Sequence, residues 1–239
     1  MKLTYIYHSG FVIETKKCII ILDFYEDTSG LNKGFVHDEV LKAEKKIYVL
    51  SSHSHNDHFS PDILKWKNNN SNIEYIFSFD IKEQESLSDI SITYLNKLDT
   101  YTDELIDIKA FGSTDLGISF LIKCEGRTIF HAGDLNNWHW KEESTDEEIA
   151  EAEHSFFSEL DLLENETKDI DLAMFPVDPR LGTDYMLGAK QFINRFNIGI
   201  FAPMHFGESY DKASAFAVFT GSKGIRFFDI KQKGDSITF

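Results

Sequence analysis

The sequence predicts an α/β fold in which two β-sheets carry helices on their outer faces. Runs of apolar residues with the length of strands dominate the first half of the 239-residue chain, and in the second half such runs alternate with helical patterns. No repeat, low-complexity block or linker divides the chain, so we expect one domain over residues 1–239. Apolar residues make up 42% of the sequence, enough for a sizeable core.

The N-terminal half is predicted to open with a hairpin. LTYIYHSGFVIET and CIIILDFY have the composition of strands, and the polar pair Lys16-Lys17 separates them. The next apolar run, residues 47–50, gives way to small polar residues and then to a group of histidines. A helix follows in SPDILKWK, with Ser60 as its N-cap and Pro61 at the first helical position, and NNNSN ends it.

Short strands are then predicted for IEYIFSF, ITYL and residues 106–111. GISFLIKCEGRTIFHAGD reads as two strands joined by a turn at Glu125-Gly126. The acidic segment KEESTDEEIAEAEHSFFSELDLLEN has apolar residues at helical spacing, which indicates an amphipathic helix with a solvated face. The last third alternates DLAMFPV, IGIFAPMHF and IRFFDI as strands with YMLGAKQFINRF and SYDKASAFAVFT as helices, before a final short strand.

The charge of the chain limits its partners. A formal net charge of −16 repels nucleic-acid backbones and anionic membrane surfaces, so we expect a small-molecule substrate instead. The N-terminus lacks the long apolar stretch of a secretory signal, and the cytoplasm is therefore the expected location. Cys18 and Cys124 are isolated and are expected to be buried as small apolar side chains. The sequence makes no prediction of oligomeric state.

The stretch SSHSHNDHF carries the strongest functional signal. Within six positions it holds His53, His55, Asp57 and His58, directly after a strand. The first two imidazoles can aim at one point, while Asp57 and His58 can reach a second point a few ångströms away, and this arrangement suits two metal ions. The alternative is a solvated polar loop or histidines that cap the following helix.

Two further residues are candidates to complete such a site. Asp134 in IFHAGDLN and His205 in APMHFGE each follow an apolar run directly. Loops at the ends of neighbouring strands converge at one edge of a sheet, so we expect both side chains to approach the histidine cluster.

These motifs, together with YHSGFVIE and ILDFY near the N-terminus, resemble the metallo-β-lactamase superfamily of metal-dependent hydrolases, in particular its lactonase-like and phospholipase-like branch. The resemblance covers nearly the whole chain. It implies a four-layer αββα sandwich with the site at one edge of the two packed sheets. It also implies the metal ligands: His53 and His55 for the first ion, Asp57, His58 and His205 for the second, and Asp134 bridging both.

The chain departs from the superfamily pattern at the first ion. A further histidine is expected between the cluster and the bridging aspartate, yet residues 59–130 contain none. Asp115 can replace it with a carboxylate oxygen, which would favour a harder ion, or the position can be left to water. One or two zinc ions are expected, with manganese or iron as alternatives. His131 is expected to face away from the ions, in the core or behind the ligands.

Four other polar residues near the motifs are candidates for substrate binding or support. His8 is expected to contact the ligands from behind or transfer protons near the ions, or to be an ordinary buried histidine, and Asp23 is expected to hydrogen-bond the cluster loop. Arg180 can hold a substrate carboxylate or phosphate, or form a structural pair with Asp178.

The aromatic segment after Asp134 offers a wall for a substrate. Trp138 and His139 can line the site, although packing against the acidic helix competes with that interpretation. The predicted reaction is hydrolysis of an ester, lactone or phosphoester of a small, anionic metabolite by a metal-bound hydroxide, with Asp57 and Asp134 orienting the water. The alternatives are a non-hydrolytic redox or structural metal protein on the same fold, and a nucleic-acid phosphodiesterase.

Overall fold

The computed structural model describes residues 1–84 and 91–239. Within these residues the chain forms fourteen β-strands: β1 (Lys2–Tyr7), β2 (Gly10–Glu14), β3 (Cys18–Leu22), β4 (Lys46–Ser51), β5 (Ile73–Ser78), β6 (Ile92–Leu95), β7 (Thr100–Thr102), β8 (Ile106–Gly112), β9 (Ile118–Cys124), β10 (Arg127–His131), β11 (Asp169–Pro176), β12 (Asn197–Met204), β13 (Arg226–Phe227) and β14 (Ser236–Thr238).

Helices lie between the strands. The α-helices among the described residues are α1 (Phe35–Asp38), α2 (Phe79–Gln84), α3 (Asp146–Glu166), α4 (Leu187–Ile193), α5 (Tyr210–Ser214) and α6 (Ala217–Ser222), and 3₁₀ turns cover Val40–Lys42, Pro61–Asn68 and Pro179–Asp184. The long helix α3 starts at a capping box, in which Thr145 and Glu148 each bond the backbone N–H of the other. No helix of the described residues is long and apolar enough to cross a bilayer.

The strands form two sheets of seven. The first has the order β14-β1-β2-β3-β4-β5-β6 and the second the order β13-β12-β11-β10-β9-β8-β7. Both sheets are mixed: β3 to β6 run parallel in the first, and β10 to β13 run parallel in the second. Because parallel strands end at the same edge, each sheet presents several strand ends side by side.

Side chains of the first sheet alternate between its two faces and so pack into two separate hydrophobic clusters. Ile20 and Leu22 of β3 belong to the cluster that also contains Phe156 of α3 and residues of the second sheet, whereas Ile19 and Ile21 belong to a second cluster with Val36 of α1. One cluster therefore lies between the sheets and beneath the helices of the second sheet, and the other lies outside the first sheet. The predicted α/β sandwich, two sheets flanked by helices, is confirmed.

The first strand prediction was wrong in one respect. LTYIYHSGFVIET forms two antiparallel strands instead of one, because the chain reverses at His8-Ser9 and enters β2 at Gly10. His8 has a left-handed backbone with φ of 55°, and Gly10 has no side chain that would meet the Tyr7 carbonyl. The reversal places His8 at an edge of the sheet.

Other elements differ in detail. The helix predicted after Ser60 is a 3₁₀ segment, β7 was not predicted, and SYDKASAFAVFT divides into α5 and α6. Cys18 and Cys124 are buried free thiols as expected, but they are not isolated from each other: the two sulfur atoms lie 3.8 Å apart.

Candidate metal centre

Strand ends from both sheets meet at one edge and carry the polar residues of the site. The turn or loop directly after a strand supplies each of the following: His8 after β1, Asp23 after β3, the cluster of residues 53–58 after β4, Asp134 after β10, Asp178 after β11 and His205 after β12. The parallel parts of the two sheets thus bring residues that are far apart in the chain to one place.

The first group of donor atoms consists of His53, His55 and Asp134. His53 Nε2 lies 3.1 Å from His55 Nδ1 and 3.4 Å from Asp134 Oδ2. Two imidazole nitrogens and a carboxylate oxygen this close together form a donor set suited to zinc. The structure brings these three predicted residues into one group.

The second group consists of His8, Asp57, His58 and His205. His58 Nε2 and His205 Nε2 each lie 3.2 Å from Asp134 Oδ1, the oxygen of that carboxylate that does not approach His53. Asp134 therefore stands between the two groups with one oxygen toward each. His8, which was expected behind the ligands or as an ordinary buried histidine, is in the group itself, with Nε2 3.4 Å from Asp57 Oδ2.

Asp23 holds the histidine cluster from beneath. It is fully buried and accepts hydrogen bonds from the backbone and hydroxyl of Ser52, at 2.7 and 2.6 Å, and from His58 Nδ1 at 2.7 Å. Since the Ser52 hydroxyl donates to Asp23, it accepts from His53 Nδ1 at 3.0 Å. These bonds orient both imidazoles with Nδ1 toward Asp23 and Ser52 and with Nε2 toward the donor groups.

Asp178 has the same relation to His205. Its carboxylate accepts from His205 Nδ1 at 3.0 Å and from Arg180 through Nε at 2.9 Å and Nη2 at 2.6 Å. The hydrogen bonds with His205 and Arg180, opposing the effect of burial, lower the pKa of Asp178. With its oxygens used in this way, Asp178 positions His205 and Arg180 and has little capacity left for a substrate. The structure contains the Asp178–Arg180 pair that was one of the two alternatives predicted for these residues.

Two glycines allow the loops to close over the cluster. A Cβ atom at Gly117 would lie 2.1 Å from the Ser52 carbonyl, and one at Gly133 would lie 2.8 Å from Ser52 Cβ. Both glycines have positive φ, 73° and 53°. The glycine before Asp134 therefore has two functions, a left-handed turn and close contact with the histidine loop.

Backbone strain is concentrated in the site. Five non-glycine residues among those described have positive φ, and three of them are His8, Asp23 and His205. Such conformations cost about 1 kcal/mol or more each and persist where the surroundings enforce them. Here the His205 N–H donates to the His8 carbonyl at 3.1 Å, which ties two of the strained residues together.

The donor atoms pass a direct test of fit for metal ions. Nε2 of His8, His58 and His205, together with Asp134 Oδ1, are buried and have no hydrogen-bond partner among the described residues. Buried polar atoms are almost always paired, so four such atoms that face one another are placed to share a further ligand. Nitrogen and carboxylate donors in this arrangement fit a cation such as zinc.

The electrostatics of the cluster also favour positive charge. Burial alone would lower the pKa of His58 and His205, yet the charge of Asp134 outweighs it and raises both. Burial would raise the pKa of Asp134, but His205 and His58 lower it well below the usual range. Burial lowers the pKa of His53, which is held as a neutral imidazole able to bind metal.

Three further candidates, Asp115, His131 and His139, lie outside the two groups. Asp115 Oδ2 lies 3.8 Å from His55 Nδ1, but the side chain is half exposed and stands at the rim, outside the first donor group. His131 is fully buried behind the site, where Nε2 donates to the Ser9 carbonyl. His139 is also buried, and its nitrogens face Asn137 and Asp184, so it does not form the expected substrate wall.

A cavity of about 450 Å³ opens over the donor groups. Its lining contains His55, Asp57, Thr114, Asp115, Asp134, Trp138, Trp140, Asp178, Arg180 and His205. Trp138 lies against the His205 ring, with centroids 5.4 Å apart, and its indole N–H donates to the Asp134 carbonyl. The tryptophan is therefore held in place by the same residues that form the floor of the cavity.

Comparison with known proteins identifies the family. A model described as the beta-lactamase superfamily domain matches residues 2–205. The chain belongs to the metallo-β-lactamase superfamily. Among the superfamily proteins it resembles is a UPF0173 metal-dependent hydrolase from Nanoarchaeum equitans, 25% identical over 218 residues that cover 86% of this chain and 84% of the relative.

Solved structures share the superfamily fold. A metallo hydrolase from Ignicoccus hospitalis is 16% identical with a TM-score of 0.71, and the match covers 100% of this chain and 97% of that one. CmlA, a diiron beta-hydroxylase from Streptomyces venezuelae, is 12% identical with a TM-score of 0.67, over 100% of this chain and 54% of that one. At these identities the similarity concerns the fold alone.

The position of Asp23 in this superfamily member gives a first prediction. We expect Asp23→Asn to weaken zinc binding by about 10- to 100-fold, because the amide cannot accept from Ser52 and His58 together and the imidazoles lose their fixed tautomers. Competition with a chromogenic chelator measures the change. Asp27→Asn is the matched control, since Asp27 is equally buried and contacts His37 Nδ1 at 2.8 Å outside the site. Equal losses in both variants would refute a specific role for Asp23.

Proposed function

We propose that this protein is a metal-dependent hydrolase that cleaves an ester, lactone or phosphoester bond in a small anionic molecule. The observation that carries the proposal is the position of Asp134, with one carboxylate oxygen toward each of two donor groups, at the floor of a cavity that a small molecule can enter. Membership of a superfamily with relatives named as metal-dependent hydrolases supports it.

Different side chains of the site would have different roles in hydrolysis. Metal ions held by the donor groups would lower the pKa of water and polarise the oxygen of the scissile group. Asp57 lines the cavity with its side chain 42% exposed, and contact with the His8 ring lowers its pKa, so it is ionised at neutral pH. It is placed to accept a hydrogen bond from the attacking water and orient it. Asp134 fixes the positions of the two donor groups relative to each other.

The cavity supports a substrate with an anionic group and an apolar part. Arg180 lines it with a side chain 65% exposed, and among the described residues no hydrogen bond engages its Nη1. The guanidinium is held by Asp178, which presets its orientation for a carboxylate or phosphate. Trp138 and Trp140 supply apolar surface on the same cavity.

A nucleic-acid substrate is disfavoured. Arg180 is the sole lysine or arginine among the described residues that line the cavity, and carboxylates make up the other charged groups there. Nucleic-acid hydrolases need a series of cations along the backbone, and this chain has a net charge of −16.

A substrate panel tests the proposal. The purified protein is stripped of metal, reloaded with zinc, manganese or iron(II), and assayed on aryl esters, lactones, phosphomonoesters and phosphodiesters. We expect turnover of at least one class in a metal-loaded form and none in the stripped form. Full metal loading without hydrolysis of any class would overturn the proposal.

Arg180 gives a second prediction. We expect Arg180→Gln to raise KM for an anionic substrate about 10- to 100-fold, the loss of one charge-assisted contact of about 1.5–3 kcal/mol, with little change in kcat. A neutral analogue of the same substrate is the control, because its KM should not change. Equal effects on the two substrates would show that Arg180 acts only by holding Asp178.

A redox function is the second candidate. Asp115 Oδ2 lies 3.8 Å from His55 Nδ1 at the rim of the site, and a second carboxylate added to the first donor group would suit iron. Oxygen consumption by the iron(II)-loaded protein, measured with an electrode and compared with the zinc form, would favour this function if no hydrolysis is found with any metal.

A further inference from the structure

The two donor groups have unequal numbers of imidazoles. The first has two, from His53 and His55, with the Asp134 carboxylate. The second has three, from His8, His58 and His205, with Asp57 and the other oxygen of Asp134 nearby. Relative to the superfamily pattern, the first group therefore has one histidine fewer and the second group has one more. The additional histidine is His8, near the N-terminus.

His8 is held firmly in its place. Its backbone N–H donates to the buried Tyr5 hydroxyl at 2.9 Å, and its carbonyl accepts from the His205 N–H at 3.1 Å. These bonds maintain a left-handed conformation that a histidine adopts only at a cost. A glycine at this position would adopt the same backbone without strain. The presence of a histidine instead indicates that its imidazole has a function.

The side chain of His8 points to such a function. Its ring lies 4.1 Å from the ring of His205 and 5.7 Å from that of His58, measured between centroids. Its Nε2 is one of the four buried atoms without a hydrogen-bond partner, and His8 offers a donor atom within 4.8 Å of those of His58 and His205. Nε2 also lies 3.4 Å from Asp57 Oδ2, so these two atoms, like those of His58 and His205, can bind one ion.

We propose that His8 is a ligand of the second metal site and that this site, the nitrogen-rich one, binds zinc before the first. Zinc prefers imidazole nitrogen to carboxylate oxygen, so three imidazoles bind it more tightly than two. Asp57, the more exposed member of the group, is then left on the cavity side. The inference concerns metal binding and does not depend on the reaction catalysed.

Zinc titration of the metal-free protein by calorimetry, with a competing chelator for tight binding, tests the order of filling. We expect His8→Asn to weaken the first equivalent of zinc at least about 100-fold, a larger effect than loss of a group behind a ligand. His55→Asn should weaken the second equivalent and leave the first within about threefold. Asparagine tolerates left-handed backbone, and His8→Gly is a second variant that removes the ring without strain.

Cobalt substitution gives an independent readout. With one equivalent of Co²⁺ bound, the proton NMR spectrum of the wild type should contain paramagnetically shifted signals from three imidazoles, and that of His8→Asn from two. Melting curves in chelator confirm that each variant folds. The proposal is overturned if a folded His8 variant binds the first zinc like the wild type, or if His55→Asn is the variant that weakens that first equivalent.

Discussion

Asp134→Asn is expected to reduce hydrolytic turnover by about 10³-fold or more while the chain remains folded. Loss of one preorganised polar group from an active site costs about 10²–10³-fold, and Asp134 is shared by both donor groups. Its oxygens lie 3.2 Å from His58 and His205 and 3.4 Å from His53, so the amide would present a neutral nitrogen or oxygen to imidazoles arranged around a carboxylate. Initial rates with saturating zinc measure the effect.

The matched control for this variant is Asp161→Asn. Asp161 is an exposed carboxylate of α3 that pairs with Arg195, so its replacement removes the same charge from the surface and should leave turnover unchanged. Melting curves of both variants establish that they fold. If the folded Asp134→Asn protein kept more than a tenth of wild-type turnover, Asp134 could not be the residue that joins two metal ions.

Removal of metal is expected to lower the melting temperature by about 5–10 °C. Ions bound only by the folded chain stabilise it by about 2.7 kcal/mol at a free concentration 100 times Kd, and for a chain of this length each kcal/mol shifts the melting temperature by about 2–4 °C. The orphaned nitrogens of His8, His58 and His205 would lose their ligand on chelation. Differential scanning calorimetry with chelator and then with added zinc measures the shift.

The shift should be smaller when the shared carboxylate is lost. In the Asp134→Asn variant, which has a neutral amide between the two groups, added zinc should move the melting temperature by less than half of the wild-type change. If the melting temperature of the wild-type protein changed neither with chelator nor with added zinc, that result would contradict the presence of a metal centre.

Much of the fold could be predicted from the sequence because both sheets have strands with regular apolar patterns. Residues 18–22 and 47–50 are unbroken apolar runs, and they are parallel neighbours with both faces covered. The reversal at His8 was missed because apolar residues continue on both sides of HSG, and the single cue for a turn was Gly10. The pairing of β14 with β1 joins the two ends of the chain, which no local pattern reveals.

The candidate site was predictable wherever a polar residue follows a strand directly. Asp134 and His205 satisfy this rule, and the structure brings both to the histidine cluster. For His8 the sequence predicted a place behind the ligands or in the core, because its position in the site depends on a turn that was not predicted. The pair of Asp178 with Arg180 was one of two alternatives that the sequence left open, whereas the hydrogen bond between Asp178 and His205 spans 27 residues and could not be predicted from sequence.

Crystals of the zinc-loaded protein, with anomalous diffraction recorded on both sides of the zinc edge, test the central claim most directly. We expect two anomalous peaks at the edge of the sheets, with one Asp134 oxygen bound to each ion and with His205 and His8 on the same ion. Zinc bound elsewhere, or Asp134 and His205 without contact to any ion at full zinc loading, would contradict the claim.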